Sequence, residues 1–142
     1  MRIEPVRGVG DSLVDDLARL VPQLTAGRVP PTRAEVEELL AQPGVELLVA
    51  IDDGRVVGML TLVVYRIPSG VKGRIEAVVV DEAARGRGVG EALTREALDR
   101  AVAAGARRVE LTSRPAREAA NRLYPRLGFE LVETNVYVWR PG

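Results

Sequence analysis

Three groups of residues have types and spacings suited to chemistry. The first is Arg85-Gly86-Arg87-Gly88-Val89-Gly90, with glycines at alternate positions and an arginine before each of the first two. Glycine lets backbone pass close to a ligand and adopt positive φ. Helical periodicity starts at Glu91, so this loop opens a helix. There the first N–H groups have no intrahelical partner and the macrodipole is positive. An anion at such a point is held by several donors at once, and Arg85 and Arg87 add charge where a diphosphate would sit. The second group is Glu76 on a β-branched run that continues through Val78, Val79 and Val80. The third is Asn121 and Tyr124 within Ser113–Glu130, SRPAREAANRLYPRLGFE.

Spacing discriminates among phosphate binders. The loop reads G-x-G-x-G, not the G-x-G-x-x-G of a dinucleotide fold, and no Lys-Ser or Lys-Thr completes a nucleotide P-loop. Absences narrow the chemistry further. With no Cys there is no thiolate nucleophile, disulfide or Cys-ligated metal, and with no His there is no imidazole base or His metal site. Acid–base work falls to Glu, Asp, Tyr, the lone Lys72 or water. A formal net charge of zero argues against a general nucleic-acid binder. No apolar run reaches the length of a membrane span and no signal-peptide core opens the chain, so a cytoplasmic location is expected. The 142 residues, 46% of them hydrophobic, suit one domain with a real core, expected over residues 1–142.

The positioning elements read in order as a mixed α/β chain. Met1 to Val6 reads as a first strand. Ser12 can cap a helix whose stripe is Leu13, Leu17, Leu20, Val21 and Leu24. Thr25 to Pro31 breaks it, and Thr32-Arg33-Ala34-Glu35 is a capping box for a second helix with Val36, Leu39 and Leu40 on its apolar face. Val45 to Ile51, a turn at Asp53-Gly54, and Arg55 to Ile67 with a bulge at Gly58 form a hairpin. Pro68 to Gly73 reads as a loop before the central strand Ile75 to Val80, whose unbroken apolarity predicts burial on both faces. Beyond the phosphate loop come a helix from Glu91 to Ala104, a strand from Arg107 to Thr112 and a helix from Pro115 to Leu127. Phe129–Val132 and Val136–Trp139 read as two last strands. Strand–helix–strand of this length implies a parallel pair joined by a right-handed crossover.

The pattern Arg85-x-x-Gly88-x-Gly90 after a valine-rich strand resembles the pyrophosphate loop of the GCN5-related N-acetyltransferases. The late stretch Asn121-x-x-Tyr124-x-x-x-Gly128-Phe129 is similar to that family's last helix, and the order β-α-α-β-β-β-α-β-α-β-β is its element order. The resemblance covers nearly the whole chain and implies that fold, with acetyl-CoA as co-substrate and no metal. It implies that backbone around Val78, Val79 and Val80 pairs with the pantetheine arm like an added strand and polarises the thioester carbonyl. It gives the pyrophosphate to the N–H groups of Arg85, Gly86, Arg87, Gly88, Val89 and Gly90. Asn121 would bind pantetheine or position water, and Tyr124 would protonate the leaving thiolate.

The family's reaction is direct attack of an amine on the thioester, which suits a chain without cysteine. Glu76 is then the first candidate for accepting the amine's proton, directly or through water. Glucosamine-phosphate acetyltransferases often carry Asp where this chain has Ala77, so that sugar is not implied. Pro125 departs from the family pattern by removing an N–H from the last helix, which predicts a kink beside Tyr124. A primary amine of a small molecule or peptide is the expected acceptor. The competing readings are a non-catalytic acyl-CoA-binding module on the same fold, and a homodimer whose sheet edge is closed by Val136, Val138 and Trp139.

Overall fold

A computed structural model describes residues 1–142, which form two compact units, Met1–Thr112 and Ser113–Gly142. In the first unit the order is β1 (Arg2–Pro5), α1 (Asp11–Leu24), α2 (Arg33–Ala41), β2 (Val45–Asp52), β3 (Arg55–Ile67), β4 (Gly70–Val80), α3 (Val89–Ala103) and β5 (Val109–Glu110). The five strands make one sheet in sequence order. The first three pairings are antiparallel, and β4 with β5 is parallel, as the α3 crossover requires.

Local chemistry explains the boundaries. Thr32 and Glu35 close the expected capping box on α2, each side chain bonding the other's backbone N–H. The turn between β2 and β3 uses Asp53 at φ 53° and Gly54 at φ 73°, the two positive values that a tight hairpin needs. Several boundaries differ from expectation. Helix α3 starts at Val89, two residues before the expected Glu91, and β5 covers only Val109–Glu110 of the strand expected from Arg107 to Thr112. Helix α1 starts at Asp11 behind Gly10, not behind Ser12, because Gly10 is already extended and its carbonyl accepts from Val14. Residues 70–73 are not loop but the start of β4, because the β3 ladder runs to Ile67↔Gly70 and leaves only Pro68 and Ser69 as the turn.

Each face of the sheet has its own core. On one side Leu17 and Leu20 of α1 and Val36 of α2 pack with Leu47, Val49, Val56, Met59 and Val79. On the other, Leu93, Ala97 and Ala101 of α3 are fully buried, and Gly58 comes so close that a Cβ there would stand 2.8 Å from Val89 Cγ1. Gly58 also lies beside a bulge, since Ala50↔Gly58 is followed by Ile51↔Val56 and Val57 is the extra residue. The glycine thus serves the bulge and the close approach of α3 together.

The second unit holds α4 (Glu118–Arg126). It begins three residues later than expected, because Pro115 to Arg117 lie in a turn closed by the Arg117 N–H on the Arg114 carbonyl. Pro125 is absorbed in the last turn. The helix then ends in a Schellman motif: Gly128 at φ 96°, its N–H on the Pro125 carbonyl, and the Phe129 N–H on the Tyr124 carbonyl. The two strands expected at 129–132 and 136–139 are not formed. A strand exists through its partner, and these stretches do not pair with each other. Val136, Val138 and Trp139 are exposed.

Candidate active site

The first unit places Glu76, Val78–Val80 and Arg85–Gly90 along one continuous strand, loop and helix start. Strand β4 does not run straight. Thr61 pairs with Glu76 and Met59 with Val79, so Leu60 faces two residues, Ala77 and Val78. This bulge has Ala77 at φ 53°, a left-handed conformation uncommon for alanine. It also changes which side chains face which core. Glu76 shares its row with Thr61 and Leu47, on the α1 and α2 side, and Val79 lies on that same side with Met59 and Val49. Without the extra residue, Glu76 and Val79 would face opposite ways. The burial is correspondingly mixed: Ile75 and Val79 are buried, Val78 and Val80 half-buried, and Glu76 exposed. The expected burial on both faces does not hold.

The β5 side of β4 is open where the chemistry would be. Pairing with β5 covers only Gly73↔Val109 and Arg74↔Glu110. From Ile75 to Val80 the strand has its β3 partner but no ladder on the other edge. The Asp81 N–H donates to Val57 of β3. Alternation along an antiparallel strand then turns the backbone groups of Val78 and Val80 toward the unpaired edge. An extended chain can add there as a further strand.

The loop beyond β4 has the properties of an anion cradle. Asp81 caps a short 3-10 turn, Glu82–Ala84, by accepting from the Ala83 N–H. Gly86 and Gly88 are both left-handed, at φ 78° and 79°, with open space where each Cβ would stand. The N–H groups of Gly86, Arg87 and Gly88 meet no backbone acceptor, and Gly88 caps α3 without a side-chain bond. Together with the Val89 and Gly90 N–H groups that open α3 they leave a row of donors for an anion. The two arginines differ. Arg87 pairs with Asp52 at 2.5 Å, while Arg85 bonds the Val80 carbonyl through Nε at 3.3 Å and lies 4.0 Å from Glu82. The Arg85 N–H, expected to join the cradle, is instead taken by the Glu82 carbonyl at 3.4 Å, so residues 86–90 fit a diphosphate by backbone and Arg85 can contribute only its side chain.

Glu76 accepts from Arg74 Nε at 2.5 Å, and its side chain is 49% exposed. One oxygen is thus engaged and the carboxylate is open to solvent.

In the second unit Tyr124 is buried, and its ring meets Phe129 edge-on at 5.5 Å between centroids. Burial pushes the phenol pKa up, and the Arg117 charge opposes this only in part. The phenol is therefore held protonated. Asn121 Nδ2 donates to the carbonyls of Arg114 and Arg117, at 2.8 and 2.9 Å. The amide N–H groups tie down the turn before α4 and leave Oδ1 as the group able to meet a ligand.

Sequence reasoning overlooked two things. The Ala77 bulge has no compositional signal, since it falls on an alanine and not on the glycine or asparagine that usually marks a left-handed residue. The other is a buried brace at the loop's root. Asp81, 8% exposed, is bonded by Arg19 Nη1, and Gln23 Nε2 approaches it at 3.5 Å. Arg19 Nη2 also bonds the Val56 carbonyl at 2.7 Å and Asp16 at 3.0 Å. Burial acts to raise the Asp81 pKa, but the Ala83 N–H, Arg19, Gln23 and Arg55 together outweigh it and hold the carboxyl below its ordinary range. A lone Asp directly after a valine run was the available signal.

Known acetyltransferases share the fold that carries these residues. An assigned acetyltransferase of Agrobacterium tumefaciens str. C58 is similar at 27% identity and a TM-score of 0.86, covering 99% of this chain and all of that one. An acetyltransferase of Trypanosoma brucei gives 26% identity and a TM-score of 0.80, covering 98% and 100%. An aminoglycoside N-acetyltransferase in complex with CoA shares the fold at 19% identity and a TM-score of 0.78, covering 99% and 100%. No curated protein sequence matches the chain. The model of the acetyltransferase (GNAT) family matches residues 15–129, and the chain belongs to that family.

Proposed function

We propose that this protein is a cytoplasmic acetyl-CoA-dependent N-acetyltransferase acting on a primary amine of a small molecule or peptide. The observation that carries the reading is the unpaired edge of β4 from Ile75 to Val80 leading directly into the free N–H groups of Gly86, Arg87 and Gly88. One edge suits an extended amide-bearing arm, and the other end suits a diphosphate, in the order in which CoA carries them. The fold's occurrence with CoA in an aminoglycoside N-acetyltransferase supports the same ligand.

Acetyl-CoA supplies an acetyl thioester, and the chain's residues do the rest. Val78 and Val80 hold the arm through backbone groups and offer an N–H to the thioester oxygen as negative charge grows there. Arg85–Gly90 hold the pyrophosphate. Glu76, directly or through water, takes the proton that the amine nitrogen loses as its lone pair forms the C–N bond. Tyr124 gives its proton to sulfur as the C–S bond breaks, and solvent returns that proton. The raised pKa of Tyr124 supports the donor role, since the phenol enters the step protonated. Asn121 Oδ1 is the group proposed to meet pantetheine or a nearby water.

Titration calorimetry with CoA and desulfo-CoA tests the binding half of the reading. Binding by the native chain, abolished in Gly88→Trp while the far-ultraviolet circular dichroism is unchanged, is expected. A native chain that binds neither at millimolar concentration overturns it. Thiol release from acetyl-CoA across a panel of primary amines tests the catalytic half.

A further inference from the structure

The phosphate loop is anchored at both ends, and one anchor comes from α1. At the far end Val89 is buried, with Gly58 beneath it. At the near end the backbone of Glu82 is held by a side chain fifty-nine positions earlier: its N–H donates to Gln23 Oε1 at 2.9 Å. Gln23 Nε2 in turn faces the Arg19 carbonyl at 3.3 Å and Asp81 Oδ1 at 3.5 Å. Arg19 holds the other Asp81 oxygen and the Val56 carbonyl. Asp81 closes the turn by taking the Ala83 N–H, and the Ala84 N–H bonds the Asp81 carbonyl at 2.8 Å. The turn Asp81–Ala84 is thus fixed from α1, β3 and its own backbone, and the free donors begin two residues later at Gly86.

We propose that Gln23 is a positioning residue for the phosphate loop, acting with Arg19 to set the direction in which the Gly86–Gly88 donors point. The inference rests on the reading of that loop as a diphosphate site. The Glu82 N–H is an orphan donor of the 3-10 turn, and α1 supplies its acceptor. If that acceptor is removed, the turn rotates to find water, and a row of donors that must converge on one diphosphate loses its alignment. Gln23 touches no ligand in this scheme and acts only through the turn.

Gln23→Met keeps the volume and removes both hydrogen-bonding ends. Its effect is read with two probes, CoA and pantetheine, of which only the first carries a pyrophosphate. The expected result is a CoA Kd raised about fivefold, with the pantetheine Kd unchanged. Thr32→Ala is the control, because it removes the α2 cap far from the loop in sequence, lowers stability and should leave both Kd values alone. Arg19→Lys, which keeps the charge but cannot reach Asp81, Asp16 and the Val56 carbonyl together, is expected to weaken CoA in the same selective way. If Gln23→Met weakens CoA and pantetheine equally, or neither, the positioning role is overturned while the diphosphate reading stands. If the native chain binds pantetheine and CoA with the same Kd, the diphosphate reading falls and takes this inference with it.

Discussion

Ala77 is the residue at which the chain departs furthest from ordinary local preference. A Cβ at φ 53° crowds the following carbonyl, at a cost of about 1 kcal/mol. The cost is retained because the bulge turns Glu76 and Val79 to the same face and lifts Val78 toward the open edge. Ala77→Gly removes the crowding, and equilibrium denaturation should find it as stable as the native chain or up to about 1 kcal/mol more stable. Ala77→Val adds a β-branch at the same φ and should lose about 2 kcal/mol. A Val variant as stable as the Gly variant would show that the bulge is not held there. Tyr124 gives the second prediction at this scale. The Phe variant keeps the edge-on packing with Phe129 but loses the proton, so kcat should fall about a hundredfold with little change in KM. Because the phenol pKa is raised, the native enzyme should show no loss of activity from Tyr124 ionisation until the solution is more alkaline than an ordinary tyrosine requires. An alkaline limb assigned to Tyr124 at or below the ordinary value would contradict the burial argument.

Among the elements, those written in strong local chemistry were legible. The Thr32–Glu35 box, the Asp53-Gly54 turn, the alanine-rich α3 stripe and the Gly128-Phe129 helix stop each act over a few residues, and each is found where the residues imply. What escaped was set by pairing. The first residues of β4 read as loop because glycine and lysine are poor strand formers, yet the β3 ladder holds them. The stretches 129–132 and 136–139 read as strands from their valines, and composition alone does not supply a partner. The Gly58 signal was half understood: a bulge was expected, and the nearness of α3 was not. That nearness makes a prediction. Gly58→Ala puts a carbon 2.8 Å from Val89 Cγ1 and 3.1 Å from Leu93 Cδ1. The Val89 methyl is stiff in a helix, so the first turn of α3 must lift. Stability should drop by about 2 kcal/mol, and the CoA Kd should rise with it, because Gly88 and Val89 carry part of the cradle. Unchanged CoA binding in a destabilised Gly58→Ala would detach the cradle from the seating of α3.

Across the whole chain no helix is long and apolar enough to cross a membrane, and no group of carboxylates stands ready for a metal. The candidate site was legible where it is made of backbone and glycine, because glycine spacing reports backbone geometry directly. It was illegible where it depends on α1, since nothing local connects Arg19 and Gln23 with Asp81 some sixty residues later. That brace also leaves a mark on the stability of the molecule. The Asp81 carboxyl titrates below its unfolded value, so the ionised form stabilises the fold at neutral pH. The contribution is complete above about pH 4 and fades as pH falls through the lowered folded pKa. Asp81→Asn keeps the shape but removes the charge beside Arg19, and should cost about 2 kcal/mol at neutral pH. In strong acid the native carboxyl is protonated too, so the gap between the two proteins should close. Denaturant melts of both chains from neutral to acid pH measure that gap. A gap that stays constant, or widens on acidification, would mean that the charge of Asp81 does not brace α1 to the loop.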